Sequence, residues 1–344
     1  MPTITMRAVP PFVAGLQHEQ CDWRVQAAAE APPGALRVAL LNLMPTKAVT
    51  ERQWLRLVAQ ANVKRPIHID LVRLDNWTPR HTSAYHMAEY YRPLSELTEG
   101  TCLLSDFDAM IVTGAPLGQM RYADVRYWLQ VVGLFDRLQS AAVPTLLSCW
   151  AAQAALYHLF NIATLRRPDK LSGVFKQHVA PLTSAALMSA AATSTTRASA
   201  ERAASSAPVD AKPFRHAQLT LGLHQAVQEL PKPLIMPQSR FALPDPRSLD
   251  ALLQTAGQPL RPLLMNHQNE PTVLVDEALG NLLLLGHPEY ERDTLSLEYQ
   301  RDRAKAPHSP APCNYNSEDQ AASTAWQAVG AVLLGTWLNH AAPR

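Results

Sequence analysis

Three residues of this 344-residue chain have the types and setting of nucleophilic acyl chemistry: Cys149, His287 and Glu289. Cys149 follows the apolar run Val143-Pro-Thr-Leu-Leu-Ser148 and precedes the Ala-rich run Trp150-Ala-Ala-Gln-Ala-Ala-Leu156, so the sequence predicts a strand that turns abruptly into a helix at the thiol. A side chain at such a junction is lifted out of the sheet. It faces the first free N–H groups of the helix, whose partial positive charge favours a thiolate and can hold an oxyanion. A lone Cys on an apolar strand is by default a core residue, so the thiol needs partners before it means anything. Gly286-His-Pro-Glu-Tyr290 supplies them. His287 and Glu289 stand two apart, and in extended backbone they point to the same side. The imidazole would take a proton, and the carboxylate would fix its tautomer and stabilise the imidazolium. A His and an acid in one surface turn are common, and it is the pairing with Cys149 that makes a Cys/His/Glu triad.

Two further loops sit where strands end. Thr113-Gly-Ala-Pro-Leu-Gly118 follows the strand-like Ile111-Val112 and could offer backbone N–H groups to an oxyanion, its default reading being an ordinary β–α turn. Met44-Pro-Thr-Lys47 places a cation after another strand, where it could meet a CoA phosphate or an acyl carboxylate; a solvated loop Lys is the bland alternative.

The elements that must position these residues alternate between strand and helix lengths. Arg37–Leu43, Ile67–Arg73, Phe107–Val112 and Val143–Ser148 read as strands, with helix-length segments between them, the first running through Glu51, Trp54, Leu55 and Leu57. That order predicts an α/β fold with a doubly wound, mostly parallel sheet flanked by helices, and in such sheets ligands bind outside the carboxyl ends of the strands. Thr272–Val275 and Asn281–Leu285 read as two late strands joined by a turn at Gly280, and a final helix is expected near Thr324–Asn339. Residues 1–35 read as an irregular segment, 36–341 as one α/β domain, and about 182–213, with its Ala/Ser/Thr run, as a disordered low-complexity insertion.

Composition excludes several classes. Lys+Arg 31 against Asp+Glu 29 gives a net charge of +2 with no basic run, which argues against a nucleic-acid partner. No leader and no span of about 18 apolar residues argue for a cytoplasmic chain without a membrane partner. Cys21, Cys102, Cys149 and Cys313 are too scattered for a disulfide framework, and no C-x-x-C pair suggests metal.

Leu41-Asn-Leu-Met-Pro45 with Lys47, Val112-Thr-Gly-Ala-Pro-Leu-Gly118, Cys149-Trp-Ala-x-Gln-Ala-Ala155, Lys170-Leu-Ser-Gly-Val174, Pro237-Gln-Ser-Arg240 and Gly286-His-Pro-Glu-Tyr290 together resemble the homoserine O-succinyltransferase family, in the family's order, over roughly residues 36–180 and 214–341. The closing Asn314-Tyr and Thr336-Trp-Leu-Asn339 belong to the same series. The resemblance implies a class I glutamine amidotransferase-like fold and transfer of an acyl group from acyl-CoA to the hydroxyl of L-homoserine, a step towards methionine. It implies Cys149 as acyl-thioester carrier, His287 as base, Glu289 as its orienting partner and the Trp150 N–H as an oxyanion donor. It also puts Lys170, Ser239 and Arg301 at substrate-binding positions, Arg301 suited to a bidentate carboxylate contact.

Gly118 occupies a position that the family associates with the acyl donor, and a small residue there leaves room for a succinyl chain; Lys47 could pair with its carboxylate. Succinyl-CoA is therefore the expected co-substrate, with no bound cofactor, and a homodimer is left open. Acetyl-CoA as donor or serine as acceptor is the first alternative; a glutamine-hydrolysing amidotransferase and a non-catalytic binding protein rank below it. The elbow reads Leu147-Ser-Cys-Trp-Ala151 rather than the Gly-x-Cys-x-Gly usual in such amidotransferases.

Overall fold

The computed structural model describes residues 3–11, 13, 24–77, 79, 81–100, 103–182, 212–255 and 257–341. Residues 183–211 of the stretch read as a disordered insertion lie outside the described residues, as do Cys21 and Cys102. Among the described residues, twelve strands form one sheet. They are β1 (Thr3–Met6), β2 (Arg24–Ala27), β3 (Leu36–Leu41), β4 (Ile67–Arg73), β5 (Tyr91–Pro93), β6 (Ala109–Val112), β7 (Thr145–Ser148), β8 (Thr164–Val179), β9 (Leu234–Pro244), β10 (Leu260–Asn266), β11 (Pro271–Asp276) and β12 (Asn281–Leu284). The order is β2-β1-β4-β3-β6-β7-β12-β11-β10-β8-β9, with β5 against β4.

From β2 to β12 every pairing is parallel. From β12 to β9 every pairing is antiparallel. The central parallel strands β3, β6, β7 and β12 are mostly aliphatic and buried on both faces, which is why they read as apolar runs. Connecting helices cover both faces. They are α1 (Lys47–Gln60), α2 (Ala84–Tyr90), α3 (Leu94–Thr98), α4 (Trp128–Ala141), α5 (Trp150–Phe160), α6 (Lys212–Gln228), α7 (Pro246–Gln254), α8 (Thr294–Lys305) and α9 (Gln320–Ala341).

One core sets Trp54, Leu55 and Val58 of α1, Leu223 of α6 and Leu333 and Trp337 of α9 against Val38, Ile69, Ile111 and Leu282. The other sets Val131, Leu134 and Phe135 of α4 and Ala151 and Ala155 of α5 against Leu41, Val112, Leu147 and Leu283. A helix layer on each face is the doubly wound arrangement that strand–helix alternation predicted.

Three readings change. Residues 1–35 contain ordered strands: β1 and β2 extend the parallel sheet beyond β4, with Ile4 and Met6 in the core. The stretch read as a disordered insertion to about 213 gives way to α6 already at Lys212. The antiparallel β8, β9 and β10 stand where no strands were expected. The late hairpin matches expectation: β11 and β12 pair from Val273↔Leu284 to Asp276↔Asn281, and Gly280, at φ 71°, closes the turn by donating its N–H to the Asp276 carbonyl.

Candidate active site

Cys149 sits between β7 and α5 with φ 48° and ψ −107°, a conformation that an L-residue adopts only under constraint. The constraint is visible in the neighbours. Its N–H donates to the Leu284 carbonyl of β12 at 2.6 Å, and its carbonyl accepts the Gln153 N–H at 3.1 Å, so strand and helix both hold the corner. The thiol is therefore presented at the sheet's carboxyl edge, above the first turn of α5, whose opening N–H groups have no intrahelical acceptor. Trp150 supplies the first of them. The loop after β6 comes equally close: a Cβ at Gly114 would lie 3.2 Å from the Cys149 Cβ and 3.9 Å from the Trp150 N. Thr113 fixes that loop, its N–H on the Leu41 carbonyl and its Oγ1 accepting the Leu43 N–H at 2.8 Å.

His287 and Glu289 follow β12, and their geometry differs from the extended pair that the sequence suggested. His287-Pro288-Glu289-Tyr290 is a turn closed by the Tyr290 N–H on the His287 carbonyl, and within it His287 Nδ1 meets Glu289 Oε1 at 2.8 Å. Both side chains are buried. Proline at the second position favours the turn, and the His287 N–H is anchored on the Pro237 carbonyl of β9 at 2.8 Å. Tyr290 stacks on the imidazole with ring centroids 4.3 Å apart. Gly286 is required by this approach: a Cβ there would fall 2.4 Å from Met236 Sδ and 2.9 Å from Gln238 Nε2.

Burial works against an imidazolium at His287. The charges of Cys149 and Glu289, reinforced by hydrogen bonding, outweigh it and hold the group well above the ordinary 6.5. His287 Nε2 has no hydrogen-bond partner among the described residues, and the charge of Cys149 is the largest influence raising the group. Such an arrangement can stabilise a thiolate–imidazolium pair and shuttle one proton.

The other predicted residues divide into groups. Lys170, on β8, and Ser239, on β9, come together at Glu298 of α8: Lys170 Nζ lies 3.0 Å from Oε2, Ser239 Oγ donates to the same oxygen, and Tyr290 Oη donates to Oε1 at 2.9 Å. Burial would raise the Glu298 carboxyl, but Lys170, Ser239 and His287 prevail and hold it below its usual value. Lys170 also reaches Asp302 at 2.7 Å. Arg301 is nearly half exposed and turns both Nε and Nη2 onto Asp302 Oδ1.

Lys47 is buried rather than solvated. Its ammonium donates to the Asn42 carbonyl, and burial, opposed by Glu51, brings its pKa down to about 8. It belongs to a network in which Tyr91 Oη donates to Glu51 at 2.5 Å, Asn42 Nδ2 donates to Tyr91 Oη at 2.9 Å, and His86 meets Glu51 at 2.8 Å. A side chain at Gly118 would lie 3.7 Å from the Phe241 Cβ and 3.8 Å from the Ala242 Cβ, so this position faces β9.

Sequence reasoning missed Tyr290 and Glu298 as members of the site. Tyr290 closes the His-Pro-Glu motif already singled out, whereas Glu298, one helical turn before Arg301 on α8, has no local motif to mark it. Among the described residues no group of His, Cys, Asp and Glu is arranged to hold a metal ion, and no helix is long and apolar enough to cross a membrane.

The doubly wound sheet with helices on both faces, carrying a strained cysteine at a strand-to-helix corner and a buried His/Glu pair at a neighbouring strand end, has the class I glutamine amidotransferase-like fold. A solved glutamine amidotransferase from Methylobacillus flagellatus superposes with a TM-score of 0.52 over 89% of this chain and 95% of its own, at 8% identity, which speaks for the fold alone. The sequence profile of homoserine O-succinyltransferase matches residues 3–213 and 213–343. The homoserine O-succinyltransferase of Pseudoalteromonas translucida is 31% identical over 98% of this chain and 92% of its own length. That of Shewanella sediminis is 30% identical over 89% and 82%. The chain belongs to the homoserine O-succinyltransferase family, a family of acyltransferases.

Proposed function

We propose that this enzyme moves a succinyl group from succinyl-CoA to the hydroxyl of L-homoserine through a thioester on Cys149, as a cytoplasmic step of methionine biosynthesis. The observation that carries the reading is the buried His287, paired with Glu289 through Nδ1 at 2.8 Å and raised by the charge of Cys149, at the carboxyl edge of the sheet. The Cys149 thiolate attacks the thioester carbonyl of the donor. The oxyanion that forms is met by the Trp150 N–H and the loop at Gly114, each such donor contributing about 10²–10³ in rate. Collapse breaks the bond to CoA sulfur, which takes the His287 proton and leaves as the thiol.

Acylation itself prepares the second half. Cys149 is the largest influence raising His287, and a thioester has no charge, so the imidazole then loses that support and becomes the base. The homoserine hydroxyl gives its proton to Nε2 and attacks the acyl carbon. The second oxyanion collapses with expulsion of the Cys149 thiolate, restoring the starting pair and releasing O-succinylhomoserine. Ser239 and Lys170 take part in holding substrate, and Glu298 fixes both.

A thiol-release assay with succinyl-CoA and acetyl-CoA crossed against L-homoserine and L-serine tests the reading. Fastest turnover is expected with succinyl-CoA and homoserine. Preference for acetyl-CoA, or ammonia release from glutamine without acyl transfer, would overturn it.

A further inference from the structure

Arg240 and Gln238 have no part in the reactions above, yet they stand on the same face of β9, beside the nucleophile. Arg240 is 3% exposed, and its Nε and Nη1 meet no acceptor among the described residues; only Nη2 is paired, with Glu270 Oε2 at 3.2 Å. Gln238 is fully buried, and among the described residues neither its Oε1 nor its Nε2 has a hydrogen-bond partner. A buried guanidinium with two idle donors is a costly arrangement that binding sites tolerate and cores do not.

The local charge count points the same way. Arg167 and Arg240 share one carboxylate, Arg167 Nη2 lying 2.5 Å from Glu270 Oε1 and Arg240 on the other oxygen, so two cations face one anion. One positive charge remains without a counter-charge in that cluster. Its position relative to the chemistry is set by three contacts. The backbone of β9 holds the His287 N–H at Pro237; Gln238 lies against Gly286, the residue before His287; and Ala242, next on the Arg240 face, adjoins Gly118. β9 also packs against α5, the helix that Cys149 opens, and Cys149 is close enough for its charge to favour the Arg240 cation against burial.

We propose that Arg240, assisted by the Gln238 carboxamide, is the receptor for a substrate carboxylate beside Cys149, either the free end of a four-carbon acyl chain or the carboxylate of the amino-acid acceptor. This assignment rests on the acyltransfer reading above. It gives the carboxylate-binding role to neither Lys47, whose ammonium is engaged by the Asn42 carbonyl, nor Arg301, which is held by Asp302 at the surface. A guanidinium presents parallel donors in pairs, Nε with Nη2 or Nη1 with Nη2, so either idle nitrogen can offer a carboxylate a fork completed by the second hydrogen of Nη2, and a lysine cannot reproduce that fork.

The test separates the two half-reactions in Arg240→Met and Arg240→Lys. Acyl-enzyme formation is followed by CoA release with succinyl-CoA and acetyl-CoA. Transfer is followed with L-homoserine and its decarboxylated analogue 3-aminopropan-1-ol. If Arg240 holds the acyl carboxylate, Arg240→Met slows acylation by succinyl-CoA about 100-fold, leaves acetyl-CoA nearly untouched, and Arg240→Lys recovers part of the loss. If it holds the acceptor carboxylate, both acylations survive, and transfer to homoserine falls about 100-fold while transfer to 3-aminopropan-1-ol does not. Equal losses with both donors and both acceptors, or no loss, overturn the proposal while leaving the acyltransfer reading in place. Should Arg240→Met not fold, Arg240→Lys carries the same comparison, and wild-type acylation by the terminal amide analogue of succinyl-CoA must be slowed as the methionine variant would have been if the acyl carboxylate is the one bound. A wild type that takes neither donor sinks the acyltransfer reading and this one together.

Discussion

In the parallel half of the sheet, Cys149 is held by backbone; in the antiparallel half, the residues around Ser239 are held by charge. The corner after β7 is fixed by the Leu284 carbonyl, the first turn of α5 and the close approach of Gly114, all of them contacts of main chain in an aliphatic frame. Beyond β12, Lys170, Ser239 and Tyr290 meet on Glu298, while Arg167 and Arg240 meet on Glu270. His287 joins the halves, since its chain follows β12 and its N–H is tied to β9. The difference teaches how one site can combine a nucleophile that must not move with a substrate wall whose charges choose the ligand: packing supplies rigidity, and paired ions supply selectivity.

The comparison can be broken from either side. The largest effect is expected at the corner itself: Cys149→Ser should lower transfer by about 10⁴ or more, because every later step passes through the thioester, and steady-state rates with succinyl-CoA measure it. Gly114→Ala comes next. Its Cβ would press on Cys149 at 3.2 Å, and a displacement of that kind costs about 10² in kcat with the fold intact, read from kinetics alongside circular dichroism. On the charged side, Glu298→Gln leaves Lys170 and Ser239 without their shared anion. It should destabilise by about 2 kcal/mol in denaturant unfolding and raise the KM for substrate more than it lowers kcat.

A smaller, pH-dependent effect belongs to the bridge. His287 is raised in the folded protein, so the stability it gains from Glu289 is fully present below about pH 6.5 and is lost as pH climbs through the higher folded value. The unfolding free-energy gap between wild type and Glu289→Gln should therefore be wide at pH 6 and narrow at alkaline pH; a gap that widened with pH would contradict the assignment. The smallest effect is expected at the surface Arg121–Asp124 pair, whose side chains are 76% and 45% exposed. Arg121→Ala should change neither rate nor melting temperature measurably.

What the sequence disclosed follows the same division. Ile67–Arg73 was bounded correctly from its alternation, and the corner at Cys149 was visible from the apolar run before it and the Ala-rich run after it. β8 offers no such signal. It carries Arg166, Arg167, Asp169 and Lys170 in the strand itself, and its register with β9 shifts between Arg166 and Leu171, which destroys the alternation that reveals an amphipathic strand. β1 and β2 were missed for another reason: each has four residues, too few to show a period. Cys149, His287 and Glu289 could be named from local motifs. Glu298 could not, because it acquires partners only when α8 crosses β8 and β9, a contact across more than a hundred residues of chain from Lys170.

The most direct test of the central claim, that Cys149 carries the acyl group, is intact mass spectrometry of the enzyme incubated with succinyl-CoA alone. The account predicts one added succinyl group, located on the peptide containing Cys149, absent in Cys149→Ser and discharged on adding L-homoserine. Full turnover with no such adduct, or an adduct that homoserine does not remove, would contradict it.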